Sequence, residues 1–272
     1  MNWRAIFAIV RKDLKVVGQN KGVLLPITII PLVLFVVLPW LTSLAPAVVN
    51  IAGVSFNQLD ELIARMPAGL QQELARLDNI DQKVIVFFLV YMLAPMFLVI
   101  PLMVASVIAA DSFAGEKERK TLEALLFTPT TDRELFIAKL LSAWLAAVAV
   151  ALIGFCLYAV MANAAAWSVM HRLFFPNTMW LSLIIWVVPA VAGFGLGVMV
   201  LVSARAHGFQ DAYQLGSVVV VPVLLLVFGQ VSGVMYFSVG VVLLLGLVVW
   251  VLTSLLLFFG SRSFQRDKLL LS

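Results

Sequence analysis

Residues 215–260 form an almost uninterrupted apolar stretch of 46 residues. As one continuous helix it would extend about 69 Å, roughly twice what a bilayer core accepts, so the stretch predicts two crossings. Their reversal falls in GQVSGVMYFS, residues 229–238. Four further apolar runs reach spanning length. The candidate spans are residues 22–44, 84–110, 140–163, 179–202, 215–230 and 237–260. The predicted fold class is therefore all-α and integral to the membrane, with six transmembrane helices in one domain covering residues 1–272. A mean hydropathy of +1.10 agrees. The short alternating segments of a β-barrel do not occur.

Basic residues predict the orientation. With the N-terminus inside, the cytoplasmic segments hold Arg4, Arg11, Lys12, Lys15, Lys21, Lys117, Arg119, Lys120, Arg133, Lys139, Arg205, Arg262, Arg266 and Lys268. The other side holds Arg65, Arg76, Lys83 and Arg172. Fourteen against four puts both termini in the cytoplasm, because loops rich in lysine and arginine stay inside. The same distribution argues against nucleic acid, since the cations sit at span ends and form no basic face. A cleaved signal peptide is not expected either. Pro46 would follow the cut, and the first apolar run is longer than a signal core.

Two flanking regions have helical periodicity of their own. Within residues 1–21, Trp3, Phe7, Val10, Leu14 and Val17 share one helical face, with Arg4, Arg11, Lys12 and Lys15 elsewhere. This predicts an interfacial elbow helix along the inner leaflet, its cations near anionic headgroups. In the external segment 45–83, Leu59, Leu62, Ile63 and Met66 make one apolar stripe and Leu70, Leu74 and Leu77 another. Pro67 and Gly69 separate them, so two short surface helices are expected.

The spans carry no Asp, Glu, Lys, Arg or His in their interiors. Ion-driven transporters usually place such groups at mid-membrane, and a metalloenzyme needs His and carboxylate clusters; His171 and His207 both lie at span edges. No metal site is predicted. There is no GxSxG elbow for a hydrolase, and the lone Cys156 lies within an apolar run as a packing residue. Catalysis by this chain alone is not expected. The polar and amphipathic candidates for a substrate path are Tyr91, Asn163, Trp186, Gln230 and Tyr236. Gly193/Gly197 and Gly229/Gly233 are spaced for close helix approach, and Pro95, Pro101, Pro189 and Pro222 for kinks.

The charge missing from the spans is concentrated in residues 111–139, DSFAGEKERKTLEALLFTPTTDRELFIAK. GEKERKT resembles a phosphate-binding loop only superficially. Arg119 stands where the glycine before the lysine is needed, and a membrane helix rather than a strand leads in. The segment reads as helix, with Glu116/Lys120 and Arg119/Glu123 at i,i+4 spacing and an apolar ridge of Leu122, Leu125 and Leu126. Pro129 ends it, and Thr131 with Glu134 forms a capping box for the next helix. These residues suit a solvated loop with a membrane-facing stripe, or a helix that seats its leucines in a groove on a soluble partner. On the residues alone the two stand level.

GEKERKTLEALLFTP after the second span resembles the signature of ABC-2 type transporter permeases, closest in flavour to their sodium-efflux (Nat-type) and multidrug branch. The likeness extends to the elbow, the six spans, the external segment and ARAHGFQDAYQ at 204–214. The first external segment is shorter than in sodium-efflux members. The resemblance implies the permease subunit of an ATP-driven exporter working by alternating access in a prokaryotic inner membrane. It implies a cytoplasmic coupling helix formed by Glu116, Lys117, Arg119, Lys120, Leu122, Glu123, Leu125 and Leu126, and an elbow carrying Trp3, Phe7, Val10 and Leu14. It also implies a second permease copy, identical or related, and two ABC ATP-binding subunits that carry the ATP and Mg, with no cofactor on this chain. The alternatives are an ATP-independent channel or secondary transporter, and a scaffold that anchors a soluble ATPase.

Overall fold

The computed structural model describes residues 2–44, 66, 68–77, 79–119 and 131–263. Helix α1 (Trp3–Val17) precedes α2 (Val23–Ser43). The short α3 (Ala68–Ala75) leads to the long α4 (Ile80–Glu118) and α5 (Asp132–Ala165). Then come α6 (Thr178–Ser203), α7 (Phe209–Val231) and α8 (Val239–Ser263). Helices α2 and α4 to α8 are six helices long and apolar enough to cross a membrane. No strand occurs among the described residues. The predicted first external stripe (Leu59, Leu62, Ile63) and the predicted coupling residues Lys120, Leu122, Glu123, Leu125 and Leu126 lie outside the described residues.

Helices α4 and α6 form the centre. In each, 72% of the most apolar window is buried, against 17–28% for the other four. Small residues permit the close central contacts, as expected where helices meet within lipid. On α6, Gly193 faces Thr253 and Gly197 faces Leu256 of α8, so added β-carbons would fall 2.6 and 2.7 Å from those side chains. Between them, Gly195 sits against Leu102 and Ser106 of α4. Gly229, by contrast, has nothing within 4 Å. Gly233 serves the α7–α8 reversal instead, at φ +76°, where a side chain is disfavoured.

The prolines dictate where the helices depart from α geometry. Wide π turns at Val33–Val37, Phe87–Met92 and Leu183–Val187 precede Pro39, Pro95 and Pro189, and a tight 3₁₀ turn at Ser217–Val220 precedes Pro222. Proline has no N–H for the carbonyl four residues back. Those carbonyls belong to Phe35, Tyr91, Ile185 and Val218, and each lies inside its irregular turn. In hydrocarbon, loosened backbone must find other partners. Helix α4 finds three: Tyr158 donates to Leu89 O (2.5 Å), Trp180 Nε1 to Val90 O (2.7 Å) and Gln230 Nε2 to Tyr91 O (2.6 Å). Helix α6 is stitched likewise by Trp144 to Pro189 O, Trp250 to Trp186 O and Thr253 to Ala190 O. The breaks in α4 and α6 are therefore fixed features, held by other helices.

Candidate functional site

One wide turn, Asp111–Gly115 near the end of α4, is followed by no proline in residues 116–119. Such turns mark functional sites more often than ordinary helix does. Around it lies a concentration of charge at the base of the charged segment.

The central cation is Lys139, on the second turn of α5 and wholly buried. Its Nζ lies 2.5 Å from Glu116 Oε2 and donates to Ser112 O at 2.7 Å, over the Phe113 ring. The other Glu116 oxygen meets Lys12 Nζ of α1 at 3.1 Å. Lys12 also pairs with buried Asp13 at 3.3 Å, and Ser142 of α5 reaches Asp13 Oδ2 at 3.4 Å. On the other side of the turn, Asp111 accepts from Arg119 at 3.1 Å and from Asn20, just past α1, at 3.3 Å. Three acids and three bases thus balance around the turn, with Asp13, Asp111, Glu116 and Lys139 buried and Lys12 and Arg119 about half exposed. Paired in this way they avoid the cost of isolated buried charge.

Apolar packing holds the same elements in register. Ile6 and Val10 of α1 sit against Ala138 of α5, flanked by Ile9, Ile137 and Leu141. The predicted capping box of α5 is present, Thr131 and Glu134 bonding each other's backbone, and Glu134 also accepts from the backbone N–H of Asn2 at 2.6 Å. The single elbow stripe of the sequence divides in space. Val10 and Val17 turn inward with Ile6, while Trp3, Phe7 and Leu14 stay exposed at 52%, 59% and 38%. Helix α1 is thus fixed to α5 by one face and leaves an apolar edge exposed.

Electrostatics follow burial. Burial pushes the Asp13 carboxyl above the usual carboxylate range, against the pull of Lys139 and Lys12, with Glu116 adding to the rise. Burial works against charge on Lys12 too, yet Glu116 and Asp13 outweigh it and hold its ammonium above the ordinary lysine value. Because folded Asp13 keeps its proton more tightly than unfolded Asp13, stability falls as pH rises through the window just above the usual carboxylate value. Asp13→Asn is expected to flatten that slope. Unfolding midpoints of both chains between about pH 4 and pH 7 measure it.

Of the predicted docking residues, Glu116 turns inward to this cluster, Arg119 folds back on Asp111 while staying exposed, and Lys117 forms no ion pair among the described residues. Sequence reasoning missed Asp13 and Lys139. The available signal was that Asp13 is the sole acid among residues 1–21. Among the described residues no group of three or more His, Cys, Asp or Glu is placed to hold a metal ion.

The predicted substrate-path residues do not form one lining. Tyr91 and Gln230 meet at the α4 break, where Tyr91 also donates to Glu73 of α3, and Tyr236 contacts nearby Phe87 at 6.5 Å. Asn163 commits its amide to the backbone of Ala159, Phe174 and Phe175. Trp186 faces an open apolar groove with Leu247, Trp250 and Val251 of α8.

A family model described as ABC-2 family transporter protein matches residues 7–263. The chain belongs to this family. No curated protein and no solved structure matched the chain. Membership makes it a multi-pass membrane component of an ABC transporter, and such ABC-2 chains work with an ABC ATP-binding partner. The cluster at Asp111–Arg119 then acquires a context: it keys the base of the charged segment to α1 and α5, the helices on either side of it.

Proposed function

We propose that the chain is the permease subunit of an ATP-driven exporter. The side bearing α1 and the charged segment faces the cytoplasm, as its cations suggest, in a prokaryotic inner membrane. Residues 116–126 dock on the ATP-binding subunit through Leu122, Leu125 and Leu126, and the partner holds ATP and Mg. Two permeases pair with two such subunits. Closure of the ATP-binding pair moves the docking segments and opens the permease interface outward. One observation carries this reading: the exit of α4 is not a free loop base but is locked by Lys139, Glu116 and Lys12 to α5 and α1. A push on the segment therefore moves three helices together. The ionisable residues of the six helices also stay within a few turns of helix ends, consistent with energy delivered from outside the membrane.

The test is co-purification. The full chain in mild detergent should carry an ATP-hydrolysing subunit; Leu125→Asp should remove it, and Arg133→Ala, on the exposed first turn of α5, should keep it. Capture without such a subunit, or retention by Leu125→Asp, refutes docking through the leucine ridge.

A further inference from the structure

Helix α7 is tied at both ends by side chains that the cluster above does not use. Its N-cap, Gly208, has no side chain to cap the helix. Glu118, the last residue of α4, does so across 91 residues of sequence, its Oε2 accepting from Phe209 N at 2.9 Å. Gly208 is the seat for that carboxylate, since a β-carbon there would fall 2.5 Å from Oε2. A carboxylate on a first-turn N–H answers both an orphan donor and the positive end of the helix dipole.

About 34 Å away along the axis, the α7 C-terminal turn ends in Gln230, fully buried, whose Nε2 donates to the Tyr91 carbonyl released by Pro95. Tyr91 donates in turn to Glu73 on α3. Helix α3 is held down by Leu70, Leu74 and Leu77, all buried on the core. Between its ends α7 packs on one side only: Ala212, Val219 and Val223 are buried and Gly216 receives Met199 of α6, while Val218, Val221, Leu224, Leu225 and Phe228 are exposed on this chain. To this one-sided packing the two polar ends add directed hydrogen bonds, one to the last residue of α4 and one to its break at Tyr91.

We propose that α7 is a strut joining the exit of α4 to the surface helix α3 on the opposite side, with Glu118 as the positioning residue at one end and Gln230 at the other. Displacement of the charged segment carries Glu118, shifts α7 along its axis and, through Gln230 and Tyr91, loosens the hold on Glu73. This route is separate from the Lys139 cluster. It rests on the docking proposal only for what drives α7.

Hydrogen–deuterium exchange on the full chain in lipid nanodiscs tests it without any partner, so its failure leaves the docking proposal standing, and the reverse. Glu118→Ala should raise exchange at residues 207–212 and, by at least about five-fold, at residues 68–77. Coupling is reciprocal, so Gln230→Leu should raise exchange at 68–77 and, by a similar factor, at 207–212. Glu118→Gln, which keeps an acceptor, should recover most of the protection, and Arg133→Ala should change neither region. Effects confined to the mutated end in both Glu118→Ala and Gln230→Leu overturn the proposal. A Glu118→Ala chain that also loses protection throughout α5 leaves the Gln230→Leu arm to decide.

Discussion

Replacing Lys139 with methionine is expected to destabilise the chain by about 3–5 kcal/mol, because it strands one partner of a buried ion pair. Lys139 has no exposed surface, and its loss leaves Glu116 Oε2 and the Ser112 carbonyl without the donor that both share. Lys12 still reaches Glu116 Oε1 but is itself 45% exposed, so it compensates only in part. Methionine has similar length and no charge, which separates loss of charge from loss of volume. The double variant Lys139→Met/Glu116→Leu is expected to regain most of the loss, since well-packed apolar groups often replace a buried pair without penalty. Denaturant unfolding in detergent of the single and double variants provides the measurement. A single variant within about 0.5 kcal/mol of the parent would place Lys139 among the surface pairs that contribute little.

The second large effect is expected at Gly154. A β-carbon there would lie 1.8 Å from Cε2 of Phe35, so this glycine is the notch in α5 that receives the ring from α2. The ring has little room to retreat. It packs on Phe97 at 5.0 Å and Tyr158 at 6.4 Å, at the edge of an aromatic cluster centred on fully buried Trp180. Only 24% of the most apolar window of α2 is buried, so this contact supplies a large share of its attachment. Gly154→Val is expected to cost about 1–3 kcal/mol by overpacking and to lift α2 away from α5. Adding Phe35→Ala should empty the notch and recover at least about 1 kcal/mol, a non-additivity that residues in contact show. Unfolding of the four chains in a double-mutant cycle measures it; strictly additive costs would mean that the ring is not seated against Gly154.

Six crossings were legible because each apolar run exceeds what a soluble helix can keep out of water, and that constraint is independent of tertiary contacts. Pro95, Pro189 and Pro222 were legible as kink positions for the same local reason, each depriving a carbonyl four residues back, whereas Pro101 lies within regular α-helix and Pro39, not singled out, follows a wide turn. What α4 does with those carbonyls was not legible, because Tyr158, Trp180 and Gln230 arrive from three other helices. The elbow stripe was half legible. Trp3, Phe7, Val10, Leu14 and Val17 do fall on a broad apolar face, but only the packing of Ile6 and Val10 on Ala138 shows where that face divides. Lys139 and Asp13 were hidden by their neighbours. In a segment dense with charge, one lysine reads as a topology signal until a fold buries it beside Glu116. Glu118 was hidden by distance, since no local pattern pairs it with Phe209.

The most direct test of the account is the rate of ATP hydrolysis by the partner subunit in lipid, measured alone, with the full chain and with Leu125→Asp. The full chain is expected to change the rate several-fold, and Leu125→Asp to return it to the value of the partner alone. One rate common to all three preparations would contradict it.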